Sequence, residues 1–150
     1  MRYLALAMSL DGTLSNAGRI DAALEQLRRS GRRALLVTAR RLGELPPLCP
    51  RLELFDCIIA ENGAVLHWPA RRESLSLRAP VPESFTMALR RRALSSVERG
   101  QVVVYTQALH ACALVEAVRE LGLELQVIFC GESALAVPPG VNKGAGLQAA

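Results

Sequence analysis

Three apolar runs of strand length fall within the first 61 residues, and the short segments between them leave little freedom in how they can be joined. Residues 3 to 10, YLALAMSL, are near-continuously apolar, as expected of a strand covered on both faces. A helix follows in DAALEQLRRSG, with Asp21 as N-cap, Ala23, Leu24 and Leu27 as the apolar stripe, and Gly31 as the stop signal. A second strand is expected over 33 to 38, a short helix over 40 to 45 before Pro46 and Pro47, and a third strand over 55 to 61 closing on Asn62-Gly63. Strand, helix, strand, helix, strand with such short connections predicts parallel strands and right-handed crossovers.

Beyond Gly63 the pattern changes. AVLHWP and ESLSLRAP read as a short hairpin, then come a helix over 83 to 93, a strand over 101 to 107, a helix over 108 to 121 and two strands, ELQVIF and SALAVP. Two helices on a small antiparallel sheet account for this order. The expected organisation is therefore a partial Rossmann-like parallel core, residues 1 to 79 and 138 to 150, with an inserted α+β lobe over 80 to 137. GVNKGAGLQAA opens a last helix at Lys143, which stops after two turns where the pattern leads one to expect more chain.

Apolar residues make up 51% of the 150 and aromatics 4%, so the core is aliphatic and of a size for one ordinary domain or a small core with a lobe. The net charge of +4 comes with arginine clusters at 28, 29, 32 and 33, at 71 and 72, and at 90 to 92. No aromatic residues are interleaved with them to stack on bases, so nucleic acid is not an expected partner, and solvated helix ends explain the clusters. Cys49, Cys57, Cys112 and Cys130 show no C-x-x-C spacing and read as buried free thiols in a reducing cytoplasm. The apolar N-terminal run is broken by Asp11-Gly12, which favours a strand over a secretory signal, and no uninterrupted run is long enough to span a membrane.

Four stretches with chemistry to offer fall at expected strand ends or at the last helix start: Ser9 to Thr13, Thr38 to Arg40, Glu61 to Gly63, and Asn142 to Gly144. In open parallel sheets the carboxyl ends of the strands form the ligand crevice. A hydroxyl, a lysine and backbone N–H groups converging there suit a phosphate.

In order, these stretches resemble the motifs of the haloacid dehalogenase superfamily of phosphohydrolases, in the branch with an α/β cap after the third core strand, which includes Cof-like sugar phosphatases and sucrose-phosphate phosphatase. SLDGTL stands where that family has D-x-D-G-T-L, VTAR supplies the Thr of its second motif, ENGA follows the third strand, and VNKG holds the third-motif lysine. The resemblance implies that Asp11 is the acid/base, with its backbone carbonyl a ligand of Mg²⁺, and that Lys143 balances the phosphate charge. It also implies that Gly12, Thr13, Thr38, Ala39, Arg40, Asn62 and Asn142 contact a small phosphorylated metabolite such as a sugar phosphate. By residue pattern alone, Asn62-Gly63 is equally an ordinary turn and Arg40 a solvated side chain.

Two departures alter what the resemblance implies. Ser9 occupies the place of the nucleophilic Asp, and a protonated hydroxyl is both a poor nucleophile without a base and a poor ligand for a hard cation. No G-D-x-x-N-D stretch, the family's fourth motif, is present. The expectation is a phosphatase-like domain with little turnover and doubtful Mg²⁺ binding, or else a catalytically silent phosphate-ligand or protein-binding domain. In the family the first strand is central, so here its far edge is expected to be unpaired, which predicts a homodimer or poor solubility.

Overall fold

A computed structural model describes residues 4–10, 17–94 and 96–150. The chain divides into two compact units, Met1–Leu77 with Asn142–Ala150, and Arg78–Val141.

In the first unit, β1 (Ala5–Ser9), β2 (Arg33–Val37) and β3 (Cys57–Ala60) pair in parallel in that order, and β4 (Val65–Trp68) and β5 (Glu73–Ser76) extend the sheet antiparallel. The register aligns Ser9 with Val37 and Val37 with Ile59, so the carboxyl ends of the three parallel strands lie side by side. One face of the sheet gathers Val37, Cys57, Ile59 and Leu66, with Leu35, Trp68 and Leu77 packed against them. The final helix, α4 (Lys143–Ala149), lies against β3.

The helix between β1 and β2, α1 (Ala17–Arg29), begins four residues before Asp21, so Asp21 is an interior residue and not the expected N-cap. It stops near the predicted place: Gly31 turns the chain with φ of 73°, a region where only glycine is at ease. The short helix expected over 40 to 45 is a single 3₁₀ turn, Leu42–Glu44. It is held by the Glu44 carboxylate, which accepts from the Arg41 backbone N–H at 3.0 Å and from its guanidinium at 2.7 Å, and Pro46 and Pro47 prevent further winding.

The first strand corrects a sequence expectation. It is not covered on both faces: Ala5, Leu6 and Ala7 are exposed, with Leu6 at 50% and Leu4 just before it at 74%, and among the described residues β1 is also the edge of the sheet, with β2 as its one neighbour. Periodicity identifies an apolar strand but does not count its neighbours.

The second unit is a four-stranded antiparallel sheet in the order β6 (Glu98–Arg99), β7 (Val104–Gln107), β9 (Ser133–Val137), β8 (Gln126–Cys130). Two helices, α2 (Glu83–Arg91) and α3 (Ala111–Glu120), bury Phe85, Ala88, Leu89, Leu114 and Ala117 against Val104, Ala134 and Ala136 of the sheet. Arg99 ties the edge strand to the start of α2 through Glu83 at 2.6 Å and the Val81 carbonyl at 2.8 Å. His110 stands immediately before α3. All four cysteines are free, but only Cys49 and Cys57 are buried; Cys112 is exposed on the outward side of α3 and Cys130 is partly exposed, which corrects the reading of all four as buried. Among the described residues no helix is long and apolar enough to cross a membrane.

Candidate active site

The crevice at the carboxyl ends of β1 to β3 is assembled mainly by backbone hydrogen bonds. Thr38 follows β2 and is fully buried. Its N–H donates to the Ile59 carbonyl at 2.8 Å and its carbonyl accepts from the Asn62 N–H at 3.0 Å. The Thr38 hydroxyl oxygen accepts from the Arg40 N–H at 3.1 Å, and that role leaves the hydroxyl proton for donation. The Arg40 carbonyl accepts in turn from the Glu61 N–H at 3.0 Å, which stitches residues 38 to 40 to residues 61 and 62.

After β3 the chain reverses in a tight turn, Glu61–Gly63, through three successive positive φ angles: 50° at Glu61, 58° at Asn62 and 99° at Gly63. Such angles are costly for a side-chain-bearing residue and cluster at functional turns. Glu61 is 1% exposed, a buried carboxylate at the mouth of the sheet. The turn also seats α4. A Cβ on Gly63 would lie 2.1 Å from the Asn142 carbonyl oxygen, and one on Gly146 would lie 2.6 Å from the Gly63 Cα and 2.7 Å from Ile59 Cγ2. Both positions therefore require glycine for the backbones to approach this closely.

Asn142 caps α4, its side-chain oxygen accepting from the Ala145 N–H at 2.8 Å, and this cap starts the helix at Lys143. Ser9, Thr38, Ala39, Arg40, Asn62, Asn142 and Lys143 thus all belong to segments gathered at one end of the first unit's sheet. Thr38 and Ala39 are buried, Ser9, Arg40, Asn62 and Lys143 are partly exposed, and Asn142 is exposed. Asp11, Gly12 and Thr13 lie outside the described residues.

With this geometry, the chain superposes on solved structures of hydrolases. A haloacid dehalogenase-like hydrolase from Bacteroides thetaiotaomicron matches 99% of this chain and 76% of its own, with a TM-score of 0.74 and 17% identity. The fold is that of the haloacid dehalogenase-like hydrolases. A sucrose-phosphatase from Synechocystis, solved in complex with sucrose and phosphate, shares this haloacid dehalogenase-like fold over 99% of this chain and 69% of its own, with a TM-score of 0.66 and 19% identity. The C-terminal domain of the Candida albicans trehalose-6-phosphate phosphatase matches 93% of this chain and 58% of its own, with a TM-score of 0.63 and 16% identity. No protein-family model and no curated protein matches the sequence, so the likeness is one of fold.

The described residues of this crevice do not fit a magnesium ion. Mg²⁺ selects charged oxygen, and the side chain at the end of β1 is the neutral Ser9 hydroxyl. Among the described residues no three His, Cys, Asp or Glu side chains gather into a metal-binding group.

Two features of the site escape sequence reasoning. Glu61 falls in a stretch the sequence places at the crevice, but the burial of its side chain follows only from the fold. Gly146 reads as a weak helix residue; the signal that could have found it is a second glycine inside a two-turn helix, which propensity alone disfavours unless something packs there.

Proposed function

We propose that this chain is a phosphatase-like domain that binds a small phosphorylated metabolite, such as a sugar phosphate, at the carboxyl ends of β1 to β3 and turns it over slowly or not at all. The observation that carries the reading is the buried Thr38 hydroxyl, fixed by the Arg40 N–H beside the Glu61–Gly63 turn on which the Lys143 helix is seated. In this reading Thr38 donates to a phosphoryl oxygen, Lys143 balances its charge, and Arg40, Asn62 and Asn142 contact the rest of the ligand. Gly12 and Thr13 contribute backbone and hydroxyl donors, and Asp11 serves as acid/base. The second unit, Arg78–Val141, is in this reading the counterpart of the inserted cap that the resemblance implies. The charge distribution supports an anionic ligand: the first unit carries twelve basic residues against eight acidic ones, whereas the second has six of each.

The chemistry limits the rate. Phosphoryl transfer depends on an activated nucleophile and on compensation of charge in the transition state. Ser9 offers neither, being a protonated hydroxyl with no histidine in the adjoining motifs to act as its base. The family resemblance implies Mg²⁺, and a carboxylate at position 9 is the change that would give it a ligand.

The deciding experiment is Mg²⁺-dependent phosphate release from a panel of small phosphomonoesters by the chain and by its Lys143→Ala and Ser9→Asp variants. Binding without appreciable release, weakened in Lys143→Ala, is the expected result, and Ser9→Asp is expected to gain Mg²⁺ affinity. Release at ordinary phosphatase rates that Lys143→Ala abolishes would overturn the impaired reading and leave a working enzyme. The alternative, a silent domain kept for protein binding, is favoured by one observation, the apolar β1 edge, unpaired among the described residues, with Leu4 and Leu6 exposed. It makes the edge a homodimer interface and predicts self-association in sedimentation over a wide concentration range.

A further inference from the structure

At the opposite end of the first unit's sheet from Thr38, Arg33, Leu35, Asp56, Cys57, Trp68 and Arg71 line a cavity of about 260 Å³. Arg33 opens β2, Asp56 and Cys57 stand at the start of β3, and Trp68 ends β4, which runs antiparallel to β3. The cavity therefore lies at the amino-terminal ends of the parallel strands. The helix α4 spans the distance, with Lys143 at the crevice end and Ala150, just past its last turn, on the cavity's rim.

The lining divides by chemistry. Leu35, Cys57 and Trp68 supply apolar surface, and the indole is anchored because Trp68 packs on the cluster of Val37, Cys57, Ile59 and Leu66. Arg33 and Arg71 bring two cationic side chains to the lining, and Asp56 brings an acidic one. Asp56 is fixed, its Oδ2 accepting from the Ala34 N–H at 2.8 Å, which leaves its second oxygen as an acceptor. Arg71 is set in position by its backbone N–H, which donates to the Trp68 carbonyl at 3.1 Å. Both arginines are exposed, and among the described residues neither guanidinium is held in an ion pair. A volume just under the usual range for small-molecule pockets, one aromatic wall and two cationic side chains in the lining suit a single ring system carrying one anionic group.

We propose that this cavity binds an aromatic anion of mononucleotide size, its ring against Trp68 and Leu35 and its phosphate between Arg33 and Arg71. The free oxygen of Asp56 accepts from an exocyclic amine on the ring, which favours an aminated base over an unsubstituted one. This site is separate from the crevice and does not depend on whether the crevice hydrolyses anything.

Trp68 is the only tryptophan in the chain, so its fluorescence reports on the cavity directly. The test is a titration of the chain with AMP, followed by tryptophan emission and repeated with Arg33→Ala, Arg71→Ala and Lys143→Ala. A saturable change is expected, weakened about tenfold or more by either arginine substitution, as loss of a charge-assisted hydrogen bond implies. Lys143→Ala should leave it unaltered, and inorganic phosphate should displace AMP only weakly. Circular dichroism on each variant separates lost binding from lost folding, and both arginines are exposed enough for the variants to fold. The proposal is overturned by the absence of a saturable change up to about 10 mM, weaker than any affinity worth assigning to a site. A response that survives both arginine substitutions, or that disappears in Lys143→Ala, also overturns it. Full displacement by an equal concentration of inorganic phosphate would remove the ring from the recognition and overturn the assignment of ligand class.

Discussion

All four residues of β3 are buried, whereas Ala5, Leu6 and Ala7 of β1, an equally apolar strand in the same parallel sheet, are exposed. The two strands differ in position and hardly in composition. β3 has a parallel neighbour in β2, an antiparallel one in β4 and α4 lying on it, while among the described strands β1 pairs with β2 alone. Hydrophobicity thus marks both as strands, and the number of covering neighbours decides which of them stabilises the fold and which offers an unpaired edge.

The largest test of that difference is truncation of one aliphatic side chain in each strand. Ile58→Ala should cost about 2–5 kcal/mol, since Ile58 is fully buried, and Leu6→Ala should stay under about 1 kcal/mol; chemical denaturation of both variants reads the contrast. Equal costs would mean that β1 is covered in solution. Next in size, Thr38→Val keeps the shape at the buried end of β2 but leaves the Arg40 N–H without its acceptor. A loss of about 1–3 kcal/mol is expected in the same assay, together with weaker phosphate binding by calorimetry.

A smaller effect is expected from Leu6→Lys, which charges the β1 edge. Stability should change by no more than about 0.5 kcal/mol, while any self-association in sedimentation should be lost. If the variant unfolds instead, the edge is a core element and the comparison with β3 fails.

The smallest effect concerns the ion-pair network on the flank of α1. The Arg51 guanidinium, 2.5 Å from Glu25, holds the Glu25 carboxyl below its usual range, and Glu53 is lowered by its own backbone N–H and then by Arg51. A carboxylate whose pKa is depressed by folding contributes stability at pH values above its unfolded pKa, and that contribution is lost as the pH falls through the folded value. These groups are in contact with solvent, Glu25 and Arg51 half-buried and Glu53 exposed, so the melting temperature should fall only slightly below about pH 4.5, and Glu25→Gln should flatten that part of the profile.

Much of this was legible in the sequence, and the exceptions share a cause. The cores of β2 and β3 and the pair β8 and β9 could be read because their apolar runs are bracketed by glycine, proline or asparagine. The first turn of α1 was not, because Asp21 reads as the start signal although Asn16, an equally good cap residue by type, precedes Ala17-Gly18, which carries no apolar stripe. Nor could β6, a charged pair of residues, Glu98–Arg99, that is a strand only because Val104 and Tyr105 stand opposite. In the crevice, Ser9, Thr38 and Lys143 are marked by their place in the strand and helix order. The burial of Glu61 and the need for glycine at 63 and 146 arise from contact between segments some 80 residues apart in sequence, and no local pattern encodes them.

That contact also bears on timing. A seven-residue helix hardly persists in isolation, and α4 is seated with Gly146 directly against the Gly63 backbone. The Glu61–Gly63 turn, with unfavourable positive φ at both Glu61 and Asn62, is in the same position, each part needing the other to be worthwhile. The two should therefore melt and reform as one cooperative step, with matched amide exchange rates, and Lys143 then keeps its place only as long as a turn 80 residues earlier in the chain holds its shape.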